Sequence, residues 1–235
     1  MGTFVLIHGA WPGRWCWQKV IPLLEKAGHK VVAPDLPGHG KNRAKTFEEV
    51  TLQDYLGCVF GVLDRQPEPV ILVGHSMGGM VISQVAEYKP NKIKKLVYLC
   101  AFLLKDGQSL VESLVESLRR EGAPFPEPFS MTDTALKEFF YGDCSDADFR
   151  WAKARLVPQP KAPVTTPIHI TDKNFGRVPR VYITCLLDQT INPAYQKQMY
   201  TTMPCQRLIS MNTSHSPFLS APEKLVKNLV SIATS

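Results

Sequence analysis

Short apolar runs alternate with amphipathic stretches along most of this chain of 235 residues. The apolar runs cover residues 3–9, 30–36, 69–75, 94–102, 180–187 and 206–212. Amphipathic stretches with helical spacing lie at residues 15–27, 51–65, 77–89, 193–202 and 222–233. Strands that are apolar on both faces and alternate with helices indicate a parallel sheet covered on both sides. Because crossovers between parallel strands are right-handed, the pattern predicts a doubly wound, mostly parallel α/β sheet.

One long segment, residues 103–178, interrupts this alternation. It holds helix-like stretches at 107–121, 132–141 and 145–155 between proline-rich pieces. We therefore predict a core domain over residues 1–102 and 179–235, with residues 103–178 inserted after a central strand as a helical cap over the carboxyl ends of the strands. The cap contains many aromatic side chains, which either line a binding site or hold the cap together: Phe125, Phe129, Phe139, Phe140, Tyr141 and Trp151.

Composition and charge are those of an ordinary soluble globular protein, with 44% hydrophobic and 20% charged residues. The formal net charge is +6, but the cations are dispersed, so we expect neither nucleic acid nor a membrane as a partner. The first residues show no signal peptide or spanning segment, so we expect a cytoplasmic protein. Six cysteines without a C-x-x-C pair indicate buried thiols rather than disulfides or metal ligands.

Residues 73–79 read VGHSMGG, with an apolar run before them and an amphipathic stretch after them. A sharp turn from strand to helix strains its central residue and requires small neighbours where the two elements approach. The pattern therefore predicts a nucleophile elbow that exposes Ser76 at a helix N-terminus, where free N–H groups stabilise negative charge. The motif alone leaves a phosphate-binding turn or a plain tight loop open.

A serine becomes a nucleophile only when a base takes its proton and a carboxylate orients that base. In this kind of sheet the three follow one another as Ser, acid and His. His215 comes after the last apolar run, whereas His169 lies in the predicted cap, so His215 is the predicted base. Structural or supporting roles are assigned to the remaining histidines, with His75 nearest the site: His8, His29, His39, His75 and His169.

The predicted acid is Asp188, because it lies at the end of the apolar run 180–187, where open α/β sheets place their ligands. Asp106 follows the run 94–102 and is the alternative. Asp35 ends a strand too early in the chain for this order, and we expect it to stabilise a turn.

Two backbone N–H groups are predicted to form the oxyanion hole. One belongs to Met77, directly after the nucleophile, and the other to Ala10 or, as the alternative, Trp11. Neither role requires a polar side chain, and no cofactor or metal is implied. The predicted substrate-binding residues are Trp11, His75, Phe125, Phe139 and Trp151.

These segments resemble the α/β-hydrolase superfamily, and within it the plant methylesterase and hydroxynitrile lyase family with its bacterial relatives. The resemblance rests on FVLIHGAWPGRWCW near the start, VGHSMGG at the elbow, RVYITCLLDQTINPAYQ around Asp188 and TSHSPFLSAPEKL around His215. It implies a cofactor-free serine carboxylesterase in which Ser76, Asp188 and His215 form the triad, with Ala10 and Met77 at the oxyanion. It also implies small apolar or aromatic esters of methanol or a short alcohol, and a homodimer.

Two positions separate the esterases from the lyases of this family. The lyases carry HTI where this chain has HGA, and a lysine where this chain has Ser216. Gly9 leaves the oxyanion hole open, and Ser216 provides no cation for a departing cyanide, so both differences favour ester hydrolysis. The alternatives are hydroxynitrile lyase, lactonase or thioesterase activity, or a small-molecule receptor with slow turnover.

Overall fold

The structure is a computed structural model, and it describes residues 1–42, 45–121 and 131–234. One sheet of parallel strands runs in the order β2-β1-β3-β4-β5-β6. Its strands are β1 Thr3–Ile7, β2 Lys30–Val32, β3 Val70–His75, β4 Ile93–Leu99, β5 Arg180–Cys185 and β6 Arg207–Met211. The predicted doubly wound α/β sheet is therefore confirmed.

Helices cover both faces of this sheet. In the described ranges they are α1 Ile21–Lys26, α2 Leu52–Asp64, α3 Gly78–Tyr88, α4 Leu110–Glu121, α5 Asp133–Tyr141, α6 Asp146–Lys153, α7 Lys161–Thr165, α8 Pro193–Thr202, α9 Pro217–Ser220 and α10 Pro222–Ala233. Alternate side chains of β1 point to opposite cores, with Val5 packing on the side of α2 and α3, and Phe4 on the side of α1 and α10. Within the same ranges, no helix has the length and apolar character needed to cross a membrane.

The amphipathic stretch at residues 15–27 does not form one helix. A 3-10 turn covers Arg14–Trp17, and α1 begins only at Ile21. Pro22 explains the break, because proline lacks an N–H and its ring clashes with a preceding helical turn, so it is tolerated in the first turn only.

The segment between β4 and β5 contains α4, α5 and α6, close to the three predicted helix-like stretches, and also the short α7, which the sequence analysis did not anticipate. No strand lies in its described residues, and the boundaries of the cap stay a prediction. Hydrogen bonds fasten the end of the segment to α3, where Gln84 bonds both backbone groups of His169 at 2.7 Å and the Glu87 carboxylate accepts from Thr171 N and Asn174 Nδ2.

A tyrosine of β5 holds the turn that follows β4. The Tyr182 hydroxyl donates to the carbonyl of Ala101 at 2.7 Å and accepts from the N–H of the same residue at 3.1 Å. The preceding residue, Cys100, has φ +35°, in the left-handed region that side chains disfavour. Because Phe102 N in this turn donates to Ser76 O at 3.1 Å, the tyrosine also supports the predicted elbow.

We expect Tyr182→Phe to lower the free energy of unfolding by about 2–4 kcal/mol, because it leaves a buried N–H and a buried C=O without partners. The matched control is Tyr98→Phe. Tyr98 stacks on Tyr182, and its hydroxyl forms a hydrogen bond with the Ser83 hydroxyl at 2.7 Å. In Tyr98→Phe the Ser83 hydroxyl keeps its hydrogen bond to Gly79 O. The expected loss of unfolding free energy is therefore only about 1 kcal/mol. Urea denaturation measures both, and equal losses would contradict the role given to Tyr182.

Candidate active site

Ser76, Asp188 and His215 lie at one edge of the sheet. Each follows a strand: Ser76 comes directly after β3, Asp188 after β5 and His215 after β6. The carboxyl ends of parallel strands meet at a common edge, which explains why residues so far apart in the chain become neighbours. All three are at least nine-tenths buried in the protein.

Ser76 has a strained backbone, with φ +51°. A non-glycine residue in the left-handed region costs roughly 1–3 kcal/mol, and such a conformation persists only where surrounding contacts impose it. At Ser76, hydrogen bonds to neighbouring backbone groups impose it. Ser76 N donates to Leu99 O at 3.3 Å, and Ser76 O accepts from both Gly79 N and Phe102 N.

Three glycines allow the chain to pass through this turn. A Cβ at Gly74 would lie 2.5 Å from the carbonyl oxygen of Gly78, where strand meets helix. A Cβ at Gly78 would lie 2.8 Å from Ile7 O, and one at Gly79 would lie 2.5 Å from Phe102 O. Each glycine therefore admits a different backbone neighbour, and the turn tolerates no larger residue at these positions without movement.

The imidazole of His215 bonds the carboxylate of Asp188, with 2.8 Å between Nδ1 and Oδ2. The carboxylate also accepts from Thr190 N and Ile191 N at 2.8 and 2.9 Å, and from Gln196 Nε2 at 3.1 Å. Asp188 is thus fixed by four donors. Gln196, a fully buried residue of α8, could not be predicted from the sequence, because an amide eight positions after Asp188 matches no motif.

The alternative acid, Asp106, is placed elsewhere. Its Oδ1 accepts a hydrogen bond from Ile170 N at 2.9 Å and lies 3.6 Å from His169 Nδ1. The side chains of Asp106 and His169 are both exposed. Asp35 bonds the N–H groups of Arg14 and Lys41 and so joins two loops. Of the other histidines, His29 packs against Phe4, and His39 bonds Gln159.

The loop after β1 lies directly against the elbow. A Cβ at Gly9 would be 2.9 Å from both Ser76 Cβ and His75 Nδ1. The next residue is Ala10, and Met77 lies on the other side of Ser76 at the start of α3. Within the described ranges, the backbone N–H groups of Ala10 and Met77 donate no hydrogen bond. Both N–H groups are therefore available to an anion beside Ser76.

His8 fixes the beginning of this loop. Its Nδ1 lies 2.8 Å from Gly9 O, and Leu36 N donates to its Nε2 at 3.0 Å. A carbonyl only accepts, so Nδ1 carries the proton and Nε2 the lone pair, which makes the ring neutral. Complete burial lowers the pKa of His8 to about 3, and the nearby His39 contributes less to this shift.

Two cavities of unequal size meet at Ser76. The larger is about 930 Å³ and lies between the core and helices α4 and α7. The smaller is about 20 Å³ and lies beside His215, under α5. Three residues line both cavities: Ala10, Trp11 and Ser76. Any molecule bound at Ser76 therefore has one roomy side and one confined side.

The described walls of the larger cavity are mostly apolar. Leu110 and Leu114 of α4 line it together with Val164 of α7. Val111 and Val115 line the same cavity while keeping 38% and 40% of their surface exposed to solvent.

The predicted substrate-binding residues are only partly brought together. Trp11 lines both cavities and His75 the smaller one, whereas Phe125 lies outside the described residues. Two predictions require correction, since neither Phe139 nor Trp151 is among the described residues that line the two cavities.

Packing explains both corrections. Trp151 packs edge-on against Trp15, with Arg155 over its ring. On α5, adjacent positions point in different directions, and it is Phe140 that lies against Trp11 and His215. Phe140 rather than Phe139 therefore lines the smaller cavity, and aliphatic side chains of α4 line part of the larger one.

His75, Cys100 and His215 offer nitrogen and sulfur atoms within 4.8 Å of one another. The contacts are hydrogen bonds around one carbonyl. His75 Nε2 lies 2.8 Å from His215 O, and the Cys100 thiol donates to the same oxygen at 3.5 Å. Burial raises the pKa of Cys100 well above its usual value, so the thiol keeps its proton. His75 Nε2 and the Cys100 thiol are thus both engaged with the backbone carbonyl of His215.

Comparison with known proteins places this geometry in context. A family model described as "Alpha/beta hydrolase family" matches residues 4–228. "Putative methylesterase 11, chloroplastic" of Arabidopsis thaliana is 34% identical over 247 residues, which cover 98% of this chain and 63% of that protein. The chain therefore spans less than two thirds of that plant relative. "Carbendazim hydrolyzing esterase" of Nocardioides sp. (strain SG-4G) is 32% identical over 246 residues, covering 99% and 100% of the two chains. The crystal structure of polyneuridine aldehyde esterase is similar with a TM-score of 0.87 at 28% identity, covering 99% of each chain.

Acid should destabilise the protein partly through His8. The pKa of His8 is about 6.5 in the unfolded chain and about 3 in the folded protein. Between these two pH values the unfolded chain binds a proton at His8 and the folded protein does not. Stability is therefore lost as the pH falls through this window. His8→Asn keeps a donor and an acceptor but does not titrate. The free energy of unfolding of His8→Asn should depend less steeply on pH between pH 6 and 4 than that of the wild type, and the slope should be smaller by about 1.4 kcal/mol per pH unit. Denaturation across that range measures both slopes. Identical slopes would show that His8 protonates when folded.

Proposed function

The chain belongs to the alpha/beta hydrolase family, and from its site we propose that it hydrolyses carboxylic esters with Ser76 as nucleophile. The observation that carries the proposal is the 2.8 Å bond between His215 and Asp188 beside a strained serine at a helix N-terminus. The three similar proteins named above are each described as an esterase or methylesterase, which supports the reaction class.

In the first half of the reaction, the Ser76 hydroxyl attacks the ester carbonyl while His215 Nε2 takes its proton. Asp188 holds Nδ1–H and so keeps Nε2 as the accepting nitrogen. The N–H groups of Ala10 and Met77 stabilise the negative oxygen of the tetrahedral intermediate, and each such donor contributes about 3 kcal/mol to the transition state. When the intermediate collapses, His215 returns the proton to the alcohol, which leaves an acyl group on Ser76.

In the second half, water attacks this acyl group with His215 again accepting a proton. The intermediate collapses to the free carboxylic acid, and His215 returns the proton to Ser76. No cofactor takes part in this scheme.

The two cavities indicate which part of the ester is large. His215 must protonate the departing oxygen, so the alcohol leaves on the side of His215, where the cavity is about 20 Å³. This space is far smaller than the cavity on the other side of Ser76, so it suits a methyl group. The acyl group then occupies the cavity of about 930 Å³, near the upper end for small-molecule pockets. We propose a methyl ester of a bulky apolar acid.

A hydroxynitrile lyase is disfavoured by the same geometry. A side chain at position 9, where the lyases carry threonine, would approach Ser76 Cβ to 2.9 Å. The position after the base is the buried Ser216, which supplies no cation.

Ser76→Ala should reduce kcat/KM for methyl octanoate at least about a thousandfold, because the covalent step is lost. Titration of released acid measures the rate, and the wild-type protein should turn over many times. A single burst without turnover would instead favour a receptor with slow hydrolysis, and equal rates in both proteins would contradict the proposed nucleophile.

Methyl octanoate and heptyl acetate test the assignment of the two cavities, because they are isomers with the large group on opposite sides of the ester. We expect kcat/KM to favour methyl octanoate at least about 30-fold, which corresponds to about 2 kcal/mol. Heptyl acetate can fit only with its departing oxygen turned away from His215. A ratio near one, or a reversed ratio, would contradict the assignment.

Two variants provide matched controls for this experiment. Leu136 of α5 lines the smaller cavity, so Leu136→Ala enlarges it and should reduce the preference for methyl octanoate. Leu114→Trp fills the larger cavity and should slow methyl octanoate while leaving methyl acetate nearly unchanged.

A further inference from the structure

We propose that His75 is a positioning residue for the base, because its Nε2–H holds the backbone carbonyl of His215 and thereby fixes the distance between His215 and Ser76. This inference rests on the proposed function, since it concerns how the base of that reaction is held.

The direction of the bond follows from its partners. His215 O can only accept, and it lies 2.8 Å from His75 Nε2, so Nε2 carries the proton. The other nitrogen, Nδ1, has the lone pair and is buried without a hydrogen-bond partner among the described residues. It faces Gly9, where even a Cβ would lie only 2.9 Å away.

A histidine in this place is costly unless its N–H matters. A buried acceptor without a partner destabilises a protein, and an aliphatic or aromatic side chain would fill the same space without that penalty. Burial and the neighbouring His215 also hold the pKa of His75 well below its usual value. The ring is therefore neutral at working pH and serves as a hydrogen-bond donor, not as a second base.

The bond restrains a part of the base that Asp188 does not reach. His215 lies in the irregular segment between β6 and α9, and Asp188 holds only its imidazole. The carbonyl of His215 is held from β3 by His75 and, more weakly, from the end of β4 by Cys100 at 3.5 Å. The imidazole rings of His75 and His215 are 4.7 Å apart between centroids, so one residue contacts both the backbone and the ring of the base.

The position of His75 in the chain gives this bond its importance. His75 immediately precedes Ser76, so the strand end that carries the nucleophile also carries the donor to the base. Any displacement of the elbow moves both together, which preserves the geometry needed for proton transfer.

Two amides of different length test the inference. The amide nitrogen of His75→Gln can occupy the place of Nε2, whereas that of His75→Asn reaches only the place of Nδ1, beside Gly9. We expect His75→Asn to lower kcat for methyl octanoate about 30- to 300-fold with KM changed less than about threefold, and His75→Gln to recover at least about tenfold of that loss. His75→Phe, which keeps an aromatic ring but no donor, should behave like His75→Asn.

A spectroscopic readout separates positioning from a loss of packing. The far-downfield proton resonance of the His215–Asp188 bond should shift or broaden in His75→Asn and remain in His75→Gln. Trp17→Phe is the control for the core beneath His75, because Trp17 packs edge-on to that ring at 6.4 Å between centroids and lines neither cavity. Its melting temperature should fall while kcat stays within about threefold.

The outcomes are distinguishable from a failure of the proposed function. If wild-type protein and Ser76→Ala hydrolyse methyl octanoate equally, the proposed function itself is wrong. If the wild type is active and a folded His75→Asn keeps full kcat, or if His75→Gln is no better than His75→Asn, the positioning role is overturned. Should His75→Asn not fold, His75→Phe takes its place in the comparison. A folded His75→Phe with full kcat and an unchanged downfield resonance overturns the role, and a large loss that His75→Gln recovers supports it.

Discussion

The close approach of strand β3 to helix α3 at Ser76 is the constraint on which the rest of the site depends. It exists because Gly74 and Gly78 carry no side chain, and a single Cβ at Gly74 would fall 2.5 Å from backbone. The turn forces Ser76 to φ +51° and directs the first N–H groups of α3 to the same point. The strain at Ser76 and the N–H groups of α3 beside it therefore have one common cause, which is backbone packing.

The other parts of the site are held by neighbouring strand ends, so that no single element carries it. The loop with His215 is bonded to β3 through His75 and to the region after β5 through Asp188. The segment between β4 and β5 adds a contact of its own, because the Ser214 hydroxyl donates to the carboxylate of Asp143. His215 is thus supported from the sheet and from that segment, and a change in either should alter the position of its imidazole.

Local sequence patterns are sufficient to predict the sheet. They also predict that the three candidate catalytic residues lie at one edge of it, because each follows an apolar run and the carboxyl ends of parallel strands share an edge. The cavity walls depend on how the helices between β4 and β5 are rotated against the sheet, which no local pattern records. Phe139 and Phe140 are equally apolar neighbours, and only packing against Trp11 selects the second. Gln196 reaches Asp188 from another helix, and its composition and spacing give no signal of that contact.

The half-exposed wall of the larger cavity has a consequence for the evolution of specificity. Val111 and Val115 line the larger cavity on one side and are exposed to solvent on the other. Substitutions at partly exposed positions usually change the free energy of unfolding little. Mutation can therefore reshape the larger cavity at these positions while the strained turn and its hydrogen bonds remain intact. Proteins built this way can therefore diverge in the ligands they accept through substitutions that hardly affect stability, before any residue of the strained turn changes.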